Sequence, residues 1–516
     1  AVPAMVLGIV LLFSLSLPAS PLRGLGDLPY LSRVTAATDP GSGPGHARVV
    51  IWNATAELII SGRPVTQPED AWSGARPLLG YGPETLRQTF ESVFPPELNR
   101  LDPGTRVDRA HNLILDLAVT VGFLGLIAFG SVVGLFFVHS ARLLKRMQRG
   151  EEQLLLVSLI AGVSGYLVSS LVSISGHADE LVFWTLPALL VILTRVATRK
   201  ERPQQDSTTG EDGISVSRGT RVIPVIGALV LASVVLGFSI NVNGNLVRAD
   251  MRTRKGVDFF NQAKWVEAAS SFEQALQSPP LRATNDLRLA QVYSFQALEA
   301  PNPAERAKFL EMAGERIEEA RALEPAEAGH HQRAGLIYTY WAVTLDPAKY
   351  TKAVEAFEDA TAASPNRVGI YNQWADMEAR SRNYEKAFDL LRQSRDIDPE
   401  WAPTQYYVST VHTMAGQDNE AEAALRQSIE LCASMWQGCL DFSEVLTSSG
   451  RADHARLYVE KFVEGQPHIW RGRFLLAQVY IRLGLTQEAR NEATVALSLA
   501  PAANQEEIQR LLGALR

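Results

Sequence analysis

The stretch YEKAFDLLRQSRDIDPEWAPTQYYVSTVHTMAG, residues 384–416, carries the spacing that decides the fold. Its Ala387, Pro399 and Gly416 are three marks of a pattern that returns every 34 residues. Alanine stands at Ala353, Ala387, Ala421, Ala455 and Ala489, and glycine at Gly416, Gly450 and Gly484. Proline keeps the same step at Pro365 and Pro399, gives way to Ala433, and resumes at Pro467 and Pro501. Two looser copies precede these, one with Ala268, Phe272, Ala275 and Pro280, the other with Ala313, Ile317, Ala320 and Pro325. A small alanine lets the two helices of a hairpin approach. Glycine turns the chain between them, and proline ends the second helix.

This pattern resembles the tetratricopeptide repeat, in about seven copies beginning near residue 251. The resemblance implies a right-handed α-solenoid with a concave face that binds peptides or other proteins and needs no chemistry of its own. Cys432 and Cys439 fall at the end of one helix and the start of the next. They read either as a disulfide, if the array lies outside the cell, or as two small buried fillers. Two cysteines exclude a disulfide scaffold and a cysteine-based zinc cluster.

The whole chain has 516 residues, 46% hydrophobic and 20% charged, with a net charge of −7. Residues 1–250 hold 20 basic and 20 acidic side chains, so the net negative charge lies in residues 251–516. An acidic repeat half argues against a nucleic-acid groove, which needs clustered Lys and Arg against phosphate. The chain opens at Ala1 without a methionine and runs directly into an apolar segment, which reads as a fragment or a processed chain.

Five apolar runs mark the first half, at about 2–18, 113–138, 154–174, 181–197 and 222–240. Most match the roughly 20 apolar residues that a bilayer core requires. The run 181–197 is the weak one, being short and carrying Pro187 and Arg195. The first run reads as a truncated membrane helix or as the end of a signal peptide at Leu17-Pro18-Ala19-Ser20. Basic residues orient the rest. Arg142, Lys145, Arg146 and Arg149 follow one run, and Arg195, Arg199, Lys200 and Arg202 follow another, which places both loops in the cytoplasm. Residues 19–112, the turn 175–180 and everything after 240 are then expected outside.

The outer loop 19–112 holds Tyr30-Leu31-Ser32-Arg33, Asp39-Pro40-Gly41 and Arg48-Val49-Val50-Ile51-Trp52 leading into a helical stretch. Arg76-Pro77-Leu78-Leu79-Gly80-Tyr81-Gly82-Pro83 follows, and Asp108-Arg109-Ala110-His111-Asn112 opens a membrane helix with Gly122 and Gly125. This order is similar to that of the O-antigen ligase/polymerase superfamily, over about residues 1–195. The resemblance implies transfer of a glycan from an undecaprenyl-diphosphate carrier to an acceptor hydroxyl at the outer face of the plasma membrane. It assigns His111 as the catalytic base and Arg48 to the donor diphosphate, with Arg109 a second candidate for the diphosphate. Neutral imidazole suits proton removal near neutral pH, where general-base help is worth ~10²–10⁴-fold. Guanidinium suits bidentate phosphate binding.

The scheme calls for no cofactor and no metal, and no Asp-x-Asp pair stands in the outer loops. Trp52 reads as packing or an interfacial anchor. Gly80 and Gly82 read as turn formers or backbone donors to phosphate, and Gly122 and Gly125 as sites of close helix packing. His177, Asp179 and Glu180 read as a solvated turn. Asp116, five residues after His111, is about 140° away from it on an ideal helix and so a poor orienting partner. The chain departs from the family in carrying five spans where members have about a dozen, and in placing Val121 where many have an acid.

The expected fold is all-α, a polytopic transmembrane helical domain followed by a tetratricopeptide α-solenoid. Residues 1–198 form the membrane domain, 199–221 a cytoplasmic linker, 222–240 a transmembrane helix and 251–516 the outer repeat domain. The expected protein is a multi-pass glycosyltransferase of a bacterial inner membrane. Its partners are the lipid-diphosphate glycan, the bilayer, an acceptor glycan or protein, and a protein on the array, which would recruit the acceptor. Two alternatives stay open: a glycan polymerase of the same superfamily, and a membrane-anchored tetratricopeptide scaffold without chemistry.

Overall fold

A computed structural model describes residues 43–63, 70–101, 106–147, 150–171, 173, 176–200, 246–277, 282–432 and 436–515, with single positions at 233, 234, 237 and 244. The runs 2–18 and 222–240 as continuous spans, the motifs at 30–33 and 39–41 and the linker lie outside the described residues. All regular structure among the described residues is helical. The chain divides into two compact units, one of residues 129–166 and 176–353, the other of residues up to 128, 167–175 and 354–516.

Helix α1 (Gly43–Ser61) opens the second unit. Its Val50, Ile51, Ala54 and Leu58 repeat at three- and four-residue steps and are buried. They pack on Leu86, Phe90, Phe94 and Leu98 of the following short helical turns and on Ala118 and Val119 further on. Residues 43–128 therefore make a small apolar core of their own.

Helix α2 (Leu113–Arg146) leaves helical geometry at Gly122, where φ is 67° and ψ is −175°. The piece beyond the break has 24 residues and a length of about 36 Å, more than a bilayer core. Helix α3 (Glu151–Ser170) and helix α4 (His177–Lys200) follow. In the first unit Phe183 of α4 stacks on Tyr166 of α3 with centroids 4.4 Å apart and meets Phe129 of α2 at 5.7 Å. Among the described residues α2 and α3 are the helices long and apolar enough to cross a membrane. Of the three expected runs that fall within the described residues, 113–138 and 154–174 meet this test. Helix α4 carries Pro187 and Arg195 within its apolar stretch, and Asp179 and Glu180 in its first turn.

The repeat half is a series of helical hairpins. In the first unit residues 246–261 form α5, which pairs with α6 (Trp265–Leu276), and α7 (Arg282–Glu299) pairs with α8 (Pro303–Leu323). Helix α9 (Ala328–Thr344) leads into α10 (Tyr350–Ala363). The second unit continues with α11 (Val368–Arg380) and α12 (Tyr384–Ile397), then α13 (Ala402–Met414) and α14 (Asp418–Cys432). After these come α15 (Trp436–Ser448) with α16 (Ala452–Gly465), α17 (Trp470–Arg482) with α18 (Thr486–Leu499), and a last helix α19 (Ala502–Ala514).

The periodic residues do what their chemistry dictates. Ala353, Ala387, Ala421, Ala455 and Ala489 are buried, as are Ala268 and Ala313 at the matching place in the earlier copies and Phe272, Ile317 and Phe357 four residues further on. Gly416, Gly450 and Gly484 take φ of 74°, 81° and 76° at the turn inside their hairpins, a region closed to most side chains. This is the tetratricopeptide-type α-solenoid fold. Cys432 and Cys439 are joined in a disulfide, buried beside Tyr406, Leu440, Tyr458 and Phe462.

Candidate functional site

Arg48 and Trp52 lie one turn apart on α1 and so share a face. Trp52 donates its indole N–H to the carbonyl of Ala110 at 2.8 Å, which sets that face of α1 against the turn before α2. His111 sits in this turn with φ of 57° and is half-buried. Burial, and then the nearby positive charge of Arg48, hold its imidazole below the usual histidine range, while Asp116 and Asp108 act in the opposite sense. The imidazole is therefore neutral at neutral pH.

The turn is tied from both sides. The carboxylate of Asp116 accepts the Ala110 N–H at 2.6 Å, and the side-chain oxygen of Asn112 accepts from Ile114 N and Leu115 N at 3.0 and 3.2 Å, capping α2. The helical-wheel expectation for Asp116 does not apply, because α2 begins at Leu113 and His111 precedes it. Arg109 forms an ion pair with Glu84.

The Pro-Leu-Leu-Gly-Tyr-Gly turn has its backbone donors committed. Gly80 N–H bonds to the Arg76 carbonyl at 2.7 Å. Tyr81 N–H and Gly82 N–H bond to the carbonyls of Val119 and Thr120 at 2.7 and 2.9 Å. These amides close the end of the first piece of α2, so they do not serve as a phosphate cradle. Gly122 marks a break rather than a flat packing surface. A β-carbon there would stand 2.2 Å from the Leu78 carbonyl oxygen, and one on Gly80 would stand 2.4 Å from that of Thr120. Around this joint Arg76 grips Asp70 with two bonds of 3.0 Å, and the buried Tyr81 hydroxyl, pushed up to about 12, reaches the carbonyls of Leu58 and Arg63.

The same loop also docks on the array. Glu91, its side chain 4% exposed, receives Arg367 Nη2 at 2.5 Å, Arg367 Nε at 3.0 Å and the Ser364 hydroxyl at 2.7 Å. The Arg367 guanidinium also lies 4.2 Å from the Phe94 ring centroid. Asn366 donates to the Phe94 carbonyl at 3.0 Å, and Asn99 donates back to the Asn366 carbonyl at 3.1 Å. Arg100 reaches Asp398 at 3.3 Å and also pairs with Glu400. These partners stand on the turns between repeats, before α11 and α13. Partners 267 or more residues apart leave no local signal in the sequence.

The array has concave surfaces of its own. A cavity of about 190 Å³ lies between α7 and α9, with Phe295, Leu298, Leu336 and Tyr340 on its walls. A second, of about 630 Å³, lies between α15, α17 and α19, with Trp470, Arg471 and Gln478 among its walls. Among the described residues no group of three or more His, Cys, Asp or Glu is placed to hold a metal ion.

No family model matches the chain, and no curated protein matches it. Solved structures align with it through helical repeats. One is a tetratricopeptide repeat protein from Parabacteroides merdae, 15% identical over 52% of this chain and 98% of that one, with a TM-score of 0.28. Another is PilW, a widely conserved type IV pilus biogenesis factor, 16% identical over 51% and 98%, with a TM-score of 0.27. A third is the MamA protein, 20% identical over 35% and 96%, with a TM-score of 0.19.

The expectation of an O-antigen ligase/polymerase-like glycosyltransferase is therefore corrected. No family model carries that resemblance. The motifs that suggested it have structural work, Gly80 and Gly82 in closing α2 and Arg109 in pairing with Glu84. What the helical hairpins define is a tetratricopeptide-type α-solenoid fold.

Proposed function

We propose that the protein is a membrane-tethered scaffold whose array holds protein partners at the outer face of a bacterial inner membrane. The observation that carries this reading is the cavity between α7 and α9. Phe295 and Leu298 remain exposed there, although the side chains repeating beneath them are buried. Exposed apolar groups in a concave wall are what a partner side chain covers. Tethering is supported by α2 and α3, whose apolar side chains point outward; Leu135 is 68% and Leu154 69% exposed, unlike a water-soluble core helix. The proposed layout keeps residues 1–198 as the membrane-associated part, 199–221 as linker, 222–240 as a further span and 251–516 as the binding array.

In this reading Arg48, Arg109 and His111 set the geometry of the outer loop and perform no chemistry. A photo-crosslinking residue at position 291, on the cavity wall, tests the proposal in the full-length membrane protein. Partners crosslinked by the parent should be lost on Leu298→Asp or Phe295→Ala and kept on His111→Ala. An unchanged crosslinking pattern in both cavity variants counts against the scaffold reading.

A further inference from the structure

We propose that the turns before α11 and α13 form a recognition site for acidic, aromatic segments, that loop residues 90–100 occupy it in cis, and that a partner segment of like chemistry displaces them. This rests on the scaffold reading and names the class of partner one of its surfaces takes.

The occupied site shows its own specificity. A carboxylate enters between Arg367 and Ser364, both of whose side chains bond it. Three residues on, an aromatic ring lies against the same guanidinium. Beside it, Asn366 and Asn99 each donate to the other segment's backbone carbonyl, which fixes the depth of the docked helical turns. Arg100 then reaches the acidic pair Asp398 and Glu400 on the next inter-repeat turn. The motif read by the array is thus Glu-x-x-Phe, followed after a short gap by a cation.

The contact is built to separate. Its named bonds are polar or ionic. A buried ion pair gives little net stability against the cost of desolvating both charges, while it discriminates strongly against a wrong partner. An intrachain contact of this type gains from the high local concentration of the loop. A partner has to overcome only that advantage, because the bonds it forms are the same.

The test uses full-length protein in detergent micelles and, as probe, a fluorescent synthetic peptide of residues 86–101. Closed wild-type protein should bind it weakly. Glu91→Lys, which ejects the loop, should bind it at least tenfold more tightly, and Glu91→Gln should fall between. Arg367→Glu should abolish binding in either background. Protease cleavage within residues 86–101 reports opening of the loop independently, and helical circular dichroism reports that each variant is folded. If Glu91→Gln opens the loop to protease in a folded protein and the peptide still fails to bind, the site is refuted, as it is if Arg367→Glu binds like wild type. Retained crosslinking from the α7–α9 cavity in that case leaves the scaffold reading standing and removes only this surface.

Discussion

Arg382 occupies the hairpin turn between α11 and α12, where the next three repeats place Gly416, Gly450 and Gly484. It holds φ of 63° with an exposed side chain. A side chain in this region costs about 1–2 kcal/mol, partly offset by the greater freedom glycine has when unfolded. Arg382→Gly should therefore raise the unfolding free energy by about 0.5–1 kcal/mol, read as a higher urea midpoint; Gly416→Arg should lower it. Asp398 shows a pH-dependent liability on the same scale. Burial lifts its carboxyl to about 6, against the pull of Arg100 and with help from the negative charge of Glu97. An unfolded aspartate titrates near 3.9. The folded chain holds this proton more tightly, so the group's contribution to folding improves as pH falls from about 7 towards 4. Asp398→Asn keeps the oxygen that accepts the Glu400 N–H and removes the titration. It should raise the melting temperature at pH 7.5, and that gain should fade by pH 4.5. A gain of equal size at both values would assign the effect to something other than this carboxyl.

At the scale of elements, the joint between the glycine turn and the broken helix α2 organises the outer loop. Two positive-φ glycines face each other's neighbouring backbone, and neither can carry a methyl group without displacing a carbonyl. Gly80→Ala should cost about 2–3 kcal/mol, from backbone strain plus the clash, and should expose residues 70–101 to protease. The disulfide acts on a neighbouring pair of helices. Replacing Cys432 and Cys439 by serine releases a short loop in the unfolded chain and should cost about 2 kcal/mol in chemical denaturation. The array was legible in the sequence, since Ala387, Pro399 and Gly416 act on helices next to one another in the chain and recur every 34 residues. The loop was legible only as a set of motifs. His111 and Arg48 do come near each other, but the chemistry borrowed for them came from motif order alone. What Gly80, Gly82 and Gly122 do became visible only once residues 40 apart were brought into contact. Glu91 and Arg367 gave no hint at all, because an acid between two phenylalanines and an arginine after a proline turn are each unremarkable alone.

At the scale of the whole molecule, the question is which side of the membrane each part occupies. Charge counting alone is nearly balanced around the run 222–240. Arg199, Lys200, Arg202, Arg218 and Arg221 precede it, and Arg248, Arg252, Arg254 and Lys255 follow it. The bonds of Glu91 and Arg100 to residues 364–400 add an independent argument. In the proposed membrane-tethered layout, the loop before α2 can touch the array only if both lie in the same compartment. The buried disulfide favours an oxidising one. The native cysteines are bonded to each other, so single introduced cysteines report cleanly on sidedness. Trp72→Cys in the loop and Val445→Cys on the array, both at exposed positions, should react with a membrane-impermeant maleimide from the outside of intact cells. Lys145→Cys, in the basic segment at the end of α2, should react only after the cells are opened. Labelling of position 445 together with 145 and apart from 72 would put the array across the bilayer from its own loop. The contacts of Glu91, and the switch built on them, would then be impossible in the intact membrane.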